Sequence, residues 1–519
     1  MESPSRTYLR VVENGPMELT EGAAVEALRD AGNAEEAFML LQTWNQSSAA
    51  VAAPADRVEK ALHRGGMEVM RRLLEENFRA RGEGDVGQAV VRRDSEGQSE
   101  RLGYRRTHQR DYESVFGTID ISRLGYGAPG QSSVHPLDEE LNLPQRRYSY
   151  VVQEHGCRLA ARGPFDEAVD EVGVMTAARL PKRQLEQVVA DGAQDFEAFY
   201  EQRCASLPPP EQTGIIMVAG IDCKGVPRRK TPEELAEPEP AKLQKGQKRQ
   251  KKKMATVASV HTTEPYVRRP EEVVENLMDP RPREPDKERP VHPRPKDRRL
   301  WASLRKSKDE VIEEVAEEMR RRDPHSHKIA VCVMDGEEAL RTRAIRHLQK
   351  AFPALILILD IMHVLKYLWD AAYAFHDEGS EQARLWVRER LLAILQGQVS
   401  RVAAGIRQSA TKQGLSGKER KAVDTSCNYM LKNKQRMQYD YYLKVGLPIA
   451  SGAAEGACGH LVKDRMELTG ASWDVYAETA EAVLKLRALD KSGDLNEYWD
   501  FHVSQEHERL YGDDWEAVA

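Results

Sequence analysis

Apolar residues recur at helical spacing along the first part of the chain. Between about Leu19 and Arg81, positions such as Val58, Leu62 and Leu73 fall on one side of a helical wheel, with charged residues between them. This spacing is typical of amphipathic helices that pack one face against a core. We therefore expect residues 1–100 to form an N-terminal helical region.

The spacing changes to strict alternation between Tyr104 and Tyr126. Ile119 and Ile121 alternate there with polar neighbours and follow a Phe-Gly pair. Alternation of this kind is typical of half-buried strands joined by a turn. A small β hairpin is therefore predicted within residues 101–145.

Three short helices are predicted next, within residues 146–207. Their breaks are set by a Gly-Pro step and by a proline at a first helical turn. Three helices at this spacing suit a helix-turn-helix, whose third helix would offer Lys182 and Arg183 to the major groove of DNA. A purely structural three-helix segment gives the same pattern, so both interpretations stay open.

A run of three prolines then separates the helical half of the chain from a half in which strands alternate with helices. Ile215–Ile221 and Ile329–Met334 predict apolar strands that end at Asp222 and Asp335. Ala255–Val260 predicts a partner for the first strand in a long-looped hairpin. Alternation of strands and helices is the signature of an α/β domain.

The α/β pattern is interrupted by residues 371–444, which are almost wholly helical in spacing. This segment predicts an all-helical insertion in a domain built from residues 208–370 and 445–519. A helix expected over Ala453–Met466 closes that domain and carries Glu455 near its start.

The length of 519 residues fits three or four packed units of roughly 150 residues each. The formal net charge of −6 excludes a uniformly cationic surface, so any affinity for nucleic acid must be local. Seven basic residues and no acid lie between Lys242 and Lys253, and Lys251, Lys252 and Lys253 are candidate DNA contacts. The segment Arg281–Lys308 holds eleven basic residues against four acids.

The segment Arg281–Lys308 has two interpretations, because prolines prevent regular structure at its start. It is a solvated linker or a DNA-contacting loop. Six scattered cysteines without a CxxC pair argue against a disulfide framework and against a zinc ribbon. With no signal peptide pattern and no long apolar run, the sequence predicts a cytoplasmic protein.

Asp222, Asp335 and Glu455 each lie at the end of a predicted element. Carboxylates in such positions can converge on one face of a sheet, and oxygen ligands are those that Mg²⁺ and Mn²⁺ prefer. Two such ions, roughly 3.5 to 4 Å apart, catalyse in-line displacement at phosphorus. Taken singly, each residue also fits a turn, a helix cap or a charge that complements a helix dipole.

Four segments around these acids carry a family resemblance, and the last is the most specific: Ala219–Gly225, Val333–Glu337, Leu359–Val364 and Ser451–Met466. In these motifs the chain resembles bacterial insertion-sequence transposases of the ISKra type, which are relatives of the Mutator-like group. The resemblance implies a ribonuclease-H-like fold with a DDE site. In such families the first acid closes the first strand, the second follows the fourth strand, and the glutamate follows a helical insertion.

The resemblance implies that Asp222, Asp335 and Glu455 bind two Mg²⁺ or Mn²⁺ ions. Asp360 and His363 match a C/DxxH signature that shapes the site. A competing assignment makes Asp360 the second metal ligand and Asp335 a local cap, and His363 also fits an ordinary buried histidine.

Lys463 lies eight residues after Glu455, on the same side of the expected helix, and could reach a phosphate. A solvated surface lysine is an equally good interpretation. The implied partners are double-stranded DNA, both terminal inverted repeats and target, and further copies of the chain in a homodimer or larger assembly. This would place the protein at the bacterial nucleoid.

Two alternatives remain beside the DNA transposase. One is a domesticated DNA-binding protein that no longer cuts, and the presence of all three acids argues against it. The other is a nuclease of the same ribonuclease-H-like fold, against which the long helical insertion and the large upstream region argue.

Overall fold

A computed structural model of the chain shows a mixed α/β protein. The described residues are 27–93, 99–203, 213–230, 251–278, 293–452, 456, 458–474, 478–512 and 515–518. The chain forms two compact units, one of Met1–Phe199 with Asn496–Ala519 and the other of Tyr200–Leu495. Each unit has its own sheets and helices.

The first unit begins with three helices, α1 (Ala34–Asn45), α2 (Ser48–Ala52) and α3 (Ala55–Ala80). The side chain of Asn33 caps α1 by accepting a hydrogen bond from the N–H of Glu36. The apolar faces of these helices share a small core. Residues 34–80 are almost wholly helical, as the apolar spacing predicts, but Leu62 and Leu73 are exposed, and residues 89–93, expected in the same helical region, form a strand.

Two small antiparallel sheets lie in the first unit. The first sheet contains β1 (Ala89–Arg93), β2 (Ser99–Leu102) and β10 (Trp515–Val518), in the order β10-β1-β2. The second is a hairpin of β3 (Tyr104–Ser114) and β4 (Gly117–Gly127). The hairpin corresponds to the one predicted from alternation.

Gly117 closes the hairpin with φ of +114°, a backbone conformation that residues with a Cβ rarely adopt. Ile119 and Ile121 on the following strand are both buried, at 1% and 3% exposure. Because alternate residues of a strand face one side, these two isoleucines form the core face of the hairpin.

Five helices follow the hairpin: α4 (Pro136–Glu140), α5 (Tyr150–Arg162), α6 (Phe165–Met175), α7 (Lys182–Asp191) and α8 (Phe196–Arg203). Helices α5, α6 and α7 pack on one another, at the positions where three helices are predicted. They form a three-helix unit.

The third helix, expected over Pro181–Phe196, ends earlier than predicted: α7 spans Lys182–Asp191, and α8 begins only at Phe196. Helix α7 ends before Gly192, and glycine is a poor helix former. Residues 192–195 form a turn between α7 and α8. Within this turn, the carboxylate of Asp195 contacts Nδ1 of His502 at 2.7 Å.

A five-stranded mixed sheet organises the second unit. Its strands are β5 (Ile216–Pro227), β6 (Lys252–Thr263), β7 (Lys296–Ser303), β8 (Ile329–Met334) and β9 (Ile356–Leu359). They lie in the order β7-β6-β5-β8-β9. Strand β6 is antiparallel to both β5 and β7, whereas β8 is parallel to β5 and β9 is parallel to β8.

The sheet corrects three expectations from the sequence. Strand β5 continues through Asp222 to Pro227, and β6 is longer than Ala255–Val260, because the two strands pair along their whole length. Strand β7 lies within Arg281–Lys308, where a linker or loop is expected, and its partner is β6. Pairing with a neighbour thus makes strands of segments whose own pattern is weak.

Helices cover both faces of the sheet. On one face, α10 (Lys308–Arg322) packs against β5 and β6. It begins with a capping box in which Ser307 and Glu310 exchange side-chain and backbone hydrogen bonds. After β8, helix α11 (Glu338–Ala344) continues as a π-helical turn over Ile345–Gln349.

The other face carries α9 (Pro270–Met278) and a helical region between β9 and residue 445. That region contains α12 (Ile361–Ala372), α13 (Glu381–Leu395), α14 (Val399–Lys412), α15 (Gly417–Asn433) and α16 (Tyr439–Lys444). These helices share one apolar core with α9 and with β5, β8 and β9. The segment is all-helical, as its spacing predicts.

The chain after the helical region differs from expectation. Among its described residues, the predicted helix Ala453–Met466 is α-helical at Gly456, π-helical over Cys458–Lys463 and α-helical again in α17 (Asp464–Met466). Then follow α18 (Glu478–Ser492) and α19 (Leu495–Tyr511).

The last residues of the chain belong to a different unit from the one predicted from the sequence. Residues 445–519 are expected to join the α/β domain as one piece, yet Asn496–Ala519 cluster with the first unit. Pairing of β10 with β1 explains this difference. Among the helices that the structure describes, none has the length and apolar character that crossing a membrane requires.

Candidate active site

Three aspartates lie side by side where the parallel strands of the second unit end. Ile221 is paired with Met334, and Met334 with Leu359, so that Asp222, Asp335 and Asp360 occupy the next row. Neighbouring strands are about 4.8 Å apart, and residues in one row of parallel strands face the same side of a sheet. We call Asp222, Asp335 and Asp360 the acidic row.

Asp222 lies in the middle of β5 and is half-buried. Its Oδ1 accepts a hydrogen bond from the N–H of Cys223 at 2.7 Å. Its Oδ2 accepts one from the thiol of Cys458 at 3.1 Å. The carboxylate is therefore oriented by two donors and keeps access to solvent.

Asp335 follows the last residue of β8 and is also half-buried. Its Oδ1 accepts a hydrogen bond from the N–H of Glu337 at 2.9 Å. Burial raises its pKa; the Glu337 N–H and His363 oppose this, while the negative charges of Asp222 and Glu337 add to it. Two carboxylates that repel one another at a half-open site are typical of a place that binds cations.

Asp360 differs from the other two because it is completely buried. Its Oδ1 caps α12 by accepting from the N–H of Met362 at 2.7 Å. Its Oδ2 accepts from the N–H of Ser451 at 2.7 Å and from the Ser451 hydroxyl. Asp360 therefore joins the start of the helical region to the segment that leads toward residue 455.

Glu455 lies outside the described residues. Residues on either side of it are described, and both contact the acidic row, Ser451 through Asp360 and Cys458 through Asp222. Ser451 and Cys458 are thus both bonded to that row. Within the described residues no cluster of three or more His, Cys, Asp or Glu side chains could hold a metal ion.

The helical region adds aromatic residues beside Asp335 that the sequence does not reveal. Tyr429 of α15 stacks on Tyr367 of α12 with ring centroids 3.9 Å apart. A Cβ at Gly336 would lie 2.6 Å from the Tyr429 hydroxyl. Only a residue without a side chain fits there. Nη1 of Arg436 donates to the carbonyl of Asp335 at 3.3 Å.

His363 lies in the first turn of α12, is half-buried, and affects the pKa of Asp335 through its charge. Lys463 is exposed at the end of the π-helical stretch, whereas Val462 and Met466 are buried. The π winding changes which residues share a side. The α-helical spacing from which Lys463 was assigned to the side of Glu455 therefore does not apply across Cys458–Lys463.

Three lysines predicted to contact DNA lie at the start of β6: Lys251 precedes the strand, and Lys252 and Lys253 are its first two residues. Lys251 is exposed and Lys253 is half-buried. The ammonium of Lys252 forms an ion pair with Glu467, and Lys224 lies 3.8 Å from the same carboxylate. Pairing with Lys252 is the main reason that the pKa of Glu467 is lowered.

In the first unit, Lys182 and Arg183 are exposed at the start of α7, as the helix-turn-helix interpretation expects. Nζ of Lys182 donates to Asp166 at 2.7 Å, in an ion pair open to solvent. Such exposed pairs contribute about 0 to 1 kcal/mol, so a phosphate could displace Asp166.

A cavity of about 290 Å³ lies on the side of the sheet that carries the acidic row. Its floor includes Gly220 of β5 and Ser259 and His261 of β6, and its wall includes Arg268 and Ser451. Burial lowers the pKa of His261 to about 4, with repulsion from Arg322 and Arg298 as smaller causes. The imidazole is therefore neutral near pH 7.

Protonation of His261 should make the stability of the chain depend on pH. Because the unfolded chain binds this proton at about pH 6.5 and the folded chain only at about 4, stability falls as pH drops between those values. The expected loss is about 3 kcal/mol. The free energy of unfolding, measured with urea, should depend less on pH in His261→Asn than in the wild type. In His325→Asn, a substitution at an exposed position, it should depend on pH as in the wild type. An unchanged slope in His261→Asn would contradict this assignment.

Comparisons with known proteins add little to this geometry. No family model matches the chain, and no curated protein is similar to it in sequence. Among solved structures it is similar to the Drosophila P element transposase strand transfer complex, with 9% identity and a TM-score of 0.25 over 71% of this chain and 86% of that one. A TM-score this low carries no argument about function, which must be inferred from the site itself.

Proposed function

We propose that the protein is a DNA transposase whose second unit cleaves and joins DNA strands with the help of divalent metal ions. The observation that carries this proposal is that described residues on both sides of Glu455 are bonded to the acidic row. Ser451 binds Asp360 and Cys458 binds Asp222, in the row that also holds Asp335. A glutamate between these two residues would be held near two half-buried aspartates.

The order of elements supports a ribonuclease-H-like DDE domain of the ISKra type. Asp222 lies on the first strand of the sheet in sequence, and Asp335 follows the fourth. A helical region then precedes the segment with Glu455. This is the order that the family resemblance implies, although Asp222 lies within its strand and not at its end.

The donor set fits Mg²⁺ or Mn²⁺. Asp222 and Asp335 offer hard carboxylate oxygens on neighbouring strands, and their mutual repulsion would be relieved by a cation. With Glu455 they would hold two ions, which when bound activate a water or a DNA 3′-hydroxyl and stabilise the leaving oxygen. Asp360 is unsuited to this role because it is completely buried and accepts hydrogen bonds from two N–H groups and a hydroxyl, whereas Asp222 and Asp335 are only half-buried.

The remaining residues would position the acids and the DNA. Asp360 fixes the segment that carries Glu455, and His363 lies within electrostatic reach of Asp335. The basic residues would bind the phosphates of the terminal inverted repeats and of target DNA, and they are Lys182, Arg183, Lys251, Lys252, Lys253 and Lys463. Pairing of two DNA ends would require a homodimer or a larger assembly.

Nicking and joining of DNA by the full-length chain tests the proposal. With Mg²⁺ or Mn²⁺ present, Asp222→Asn and Glu455→Gln should lower the rate by about a thousandfold or more, because several kcal/mol of transition-state stabilisation disappears. Binding of DNA without metal should persist in both variants. Asp464→Asn, an exposed acid near Glu455 in sequence, is the matched control and should cut like the wild type.

The same assay separates the alternatives. Binding without any metal-dependent cutting by the wild type would favour a domesticated DNA-binding protein. Cutting without joining of a 3′-hydroxyl end would favour a nuclease. Full activity in Asp222→Asn or Glu455→Gln would remove that residue from the site.

A further inference from the structure

We infer that the cavity beside the acidic row binds a phosphate-bearing nucleotide of the DNA strand, with Arg268 as its anion partner. This inference rests on the proposed function and extends it, because it adds a substrate subsite that the metal-binding acids do not supply. Three features support it: buried polar atoms that lack hydrogen-bond partners among the described residues, the positive charge of the half-buried Arg268, and a position on the same strand face as Asp222.

Polar side chains line the cavity without partners among the described residues. Ser259 has 0% exposure and His261 has 7%. Neither Oγ of Ser259 nor Nδ1 of His261 has a hydrogen-bond partner there, and Nε of Arg268 likewise has none. Leaving a buried polar group unsatisfied costs about 1 to 3 kcal/mol, so three such groups around one cavity indicate a polar occupant.

The charge of the cavity favours an anion. Arg268 forms no ion pair with a carboxylate among the described residues, and its Nη2 is bonded to the carbonyl of Leu447 at 2.9 Å. Its guanidinium lies 5.4 Å from the ring centroid of Tyr266. Glu264 is the acid at the rim, and it is 3.6 Å from Lys296. A phosphate could accept from Nε of Arg268 in a charge-assisted bond.

The position of the cavity fits a strand that also reaches the acids. Gly220 is paired with Ser259 on one side and with Val333 on the other, two residues before Asp222 on the same face of the sheet. Two residues of strand span about 6.6 Å. Glycine leaves this path open, so a strand with one phosphate at Asp222 would place a neighbouring nucleotide over the cavity.

Binding measurements with the full-length chain in EDTA test this inference independently of metal chemistry. The probes are inorganic phosphate and a short single-stranded oligonucleotide, followed by calorimetry and by fluorescence anisotropy. Arg268→Gln should weaken binding of both by about tenfold or more, since one charge-assisted hydrogen bond is lost. Arg269→Gln, its exposed neighbour, should bind both like the wild type.

Ser259→Ala is a second variant that tests the same cavity if Arg268→Gln fails to fold. It removes an unbonded hydroxyl, so its melting temperature should be unchanged or higher, while binding of phosphate weakens several-fold. Phosphate should also compete with the oligonucleotide in the wild type. Wild-type affinity in both folded variants would overturn the inference, and so would phosphate binding that does not compete with the oligonucleotide.

Failure of this inference is distinguishable from failure of the proposed function. If the acids are needed for cutting but Arg268→Gln and Ser259→Ala bind normally, the cavity is not a nucleotide site. If the wild type never cuts but these variants still lose binding and competition, the subsite stands and the catalytic proposal fails.

Discussion

Asp335→Asn is expected to abolish metal-dependent cleavage and joining of DNA while raising the thermal stability of the chain. The amide keeps the shape and the hydrogen bond from the Glu337 N–H but removes a negative charge. Since burial and Asp222 raise the pKa of Asp335, its ionised form destabilises the fold at pH 7. Loss of activity together with a higher melting temperature would identify Asp335 as a metal ligand. It would also exclude unfolding of the chain as the cause of the lost activity.

Asp360→Asn should behave in the opposite way. Its buried oxygens accept from Met362 and Ser451, and an amide nitrogen in place of Oδ2 would face the N–H of Ser451. The expected cost is about 1 to 3 kcal/mol of stability, with activity reduced but still responsive to Mn²⁺. Asp370→Asn, exposed on the same helix, is the control. Full activity in Asp335→Asn and none in Asp360→Asn would reverse the two roles.

The second large effect is expected from Gly336→Ala. The added Cβ would overlap the ring of Tyr429, which is stacked on Tyr367 and has little room to move. Overpacking of this kind costs about 1 to 3 kcal/mol, and displacement of the neighbouring Asp335 should lower activity strongly. Chemical unfolding and a cleavage assay measure the two effects.

A double variant identifies the cause. Adding Tyr429→Ala to Gly336→Ala should restore part of the activity, and the two stability changes should sum to more than the change in the double variant. Gly405→Ala is the control, because nothing lies within 4 Å of a Cβ there. Alanine in that exposed helical position should stabilise the chain by up to about 1 kcal/mol. Additive effects of the first pair would refute the steric explanation.

Elements with a strong pattern of their own could be predicted from the sequence. Ile329–Met334 is an unbroken apolar run and is a strand with those bounds. Lys308–Arg322 has helical spacing, follows a capping box and is a helix. In both segments the local preference and the tertiary contacts agree.

Elements that depend on a partner were missed. Lys296–Ser303 begins with charged residues and is a strand because its backbone pairs with β6. The polar end of β5, after Asp222, is a strand for the same reason. Pairing over such sequence distances leaves no periodicity to detect.

The acids of the site could be named from motifs, but their surroundings could not. Neither the ring of Tyr429 against Gly336 nor the thiol of Cys458 on Asp222 follows from spacing, since 93 and 236 positions separate the partners. The register that aligns Asp222 with Asp335 likewise belongs to the sheet and not to either segment. Glu455 remains a sequence prediction.

The sheet formed by β10, β1 and β2 has a consequence for biosynthesis. Arg93 of β1 and Glu516 of β10 form an ion pair although 423 positions separate them. At a synthesis rate of about 5 to 20 residues per second, the edge of β1 that pairs with β10 remains unpaired for roughly 20 to 85 s. An unpaired strand edge invites association with other chains during that interval. Nascent copies on one messenger are therefore expected to need chaperone protection of this edge.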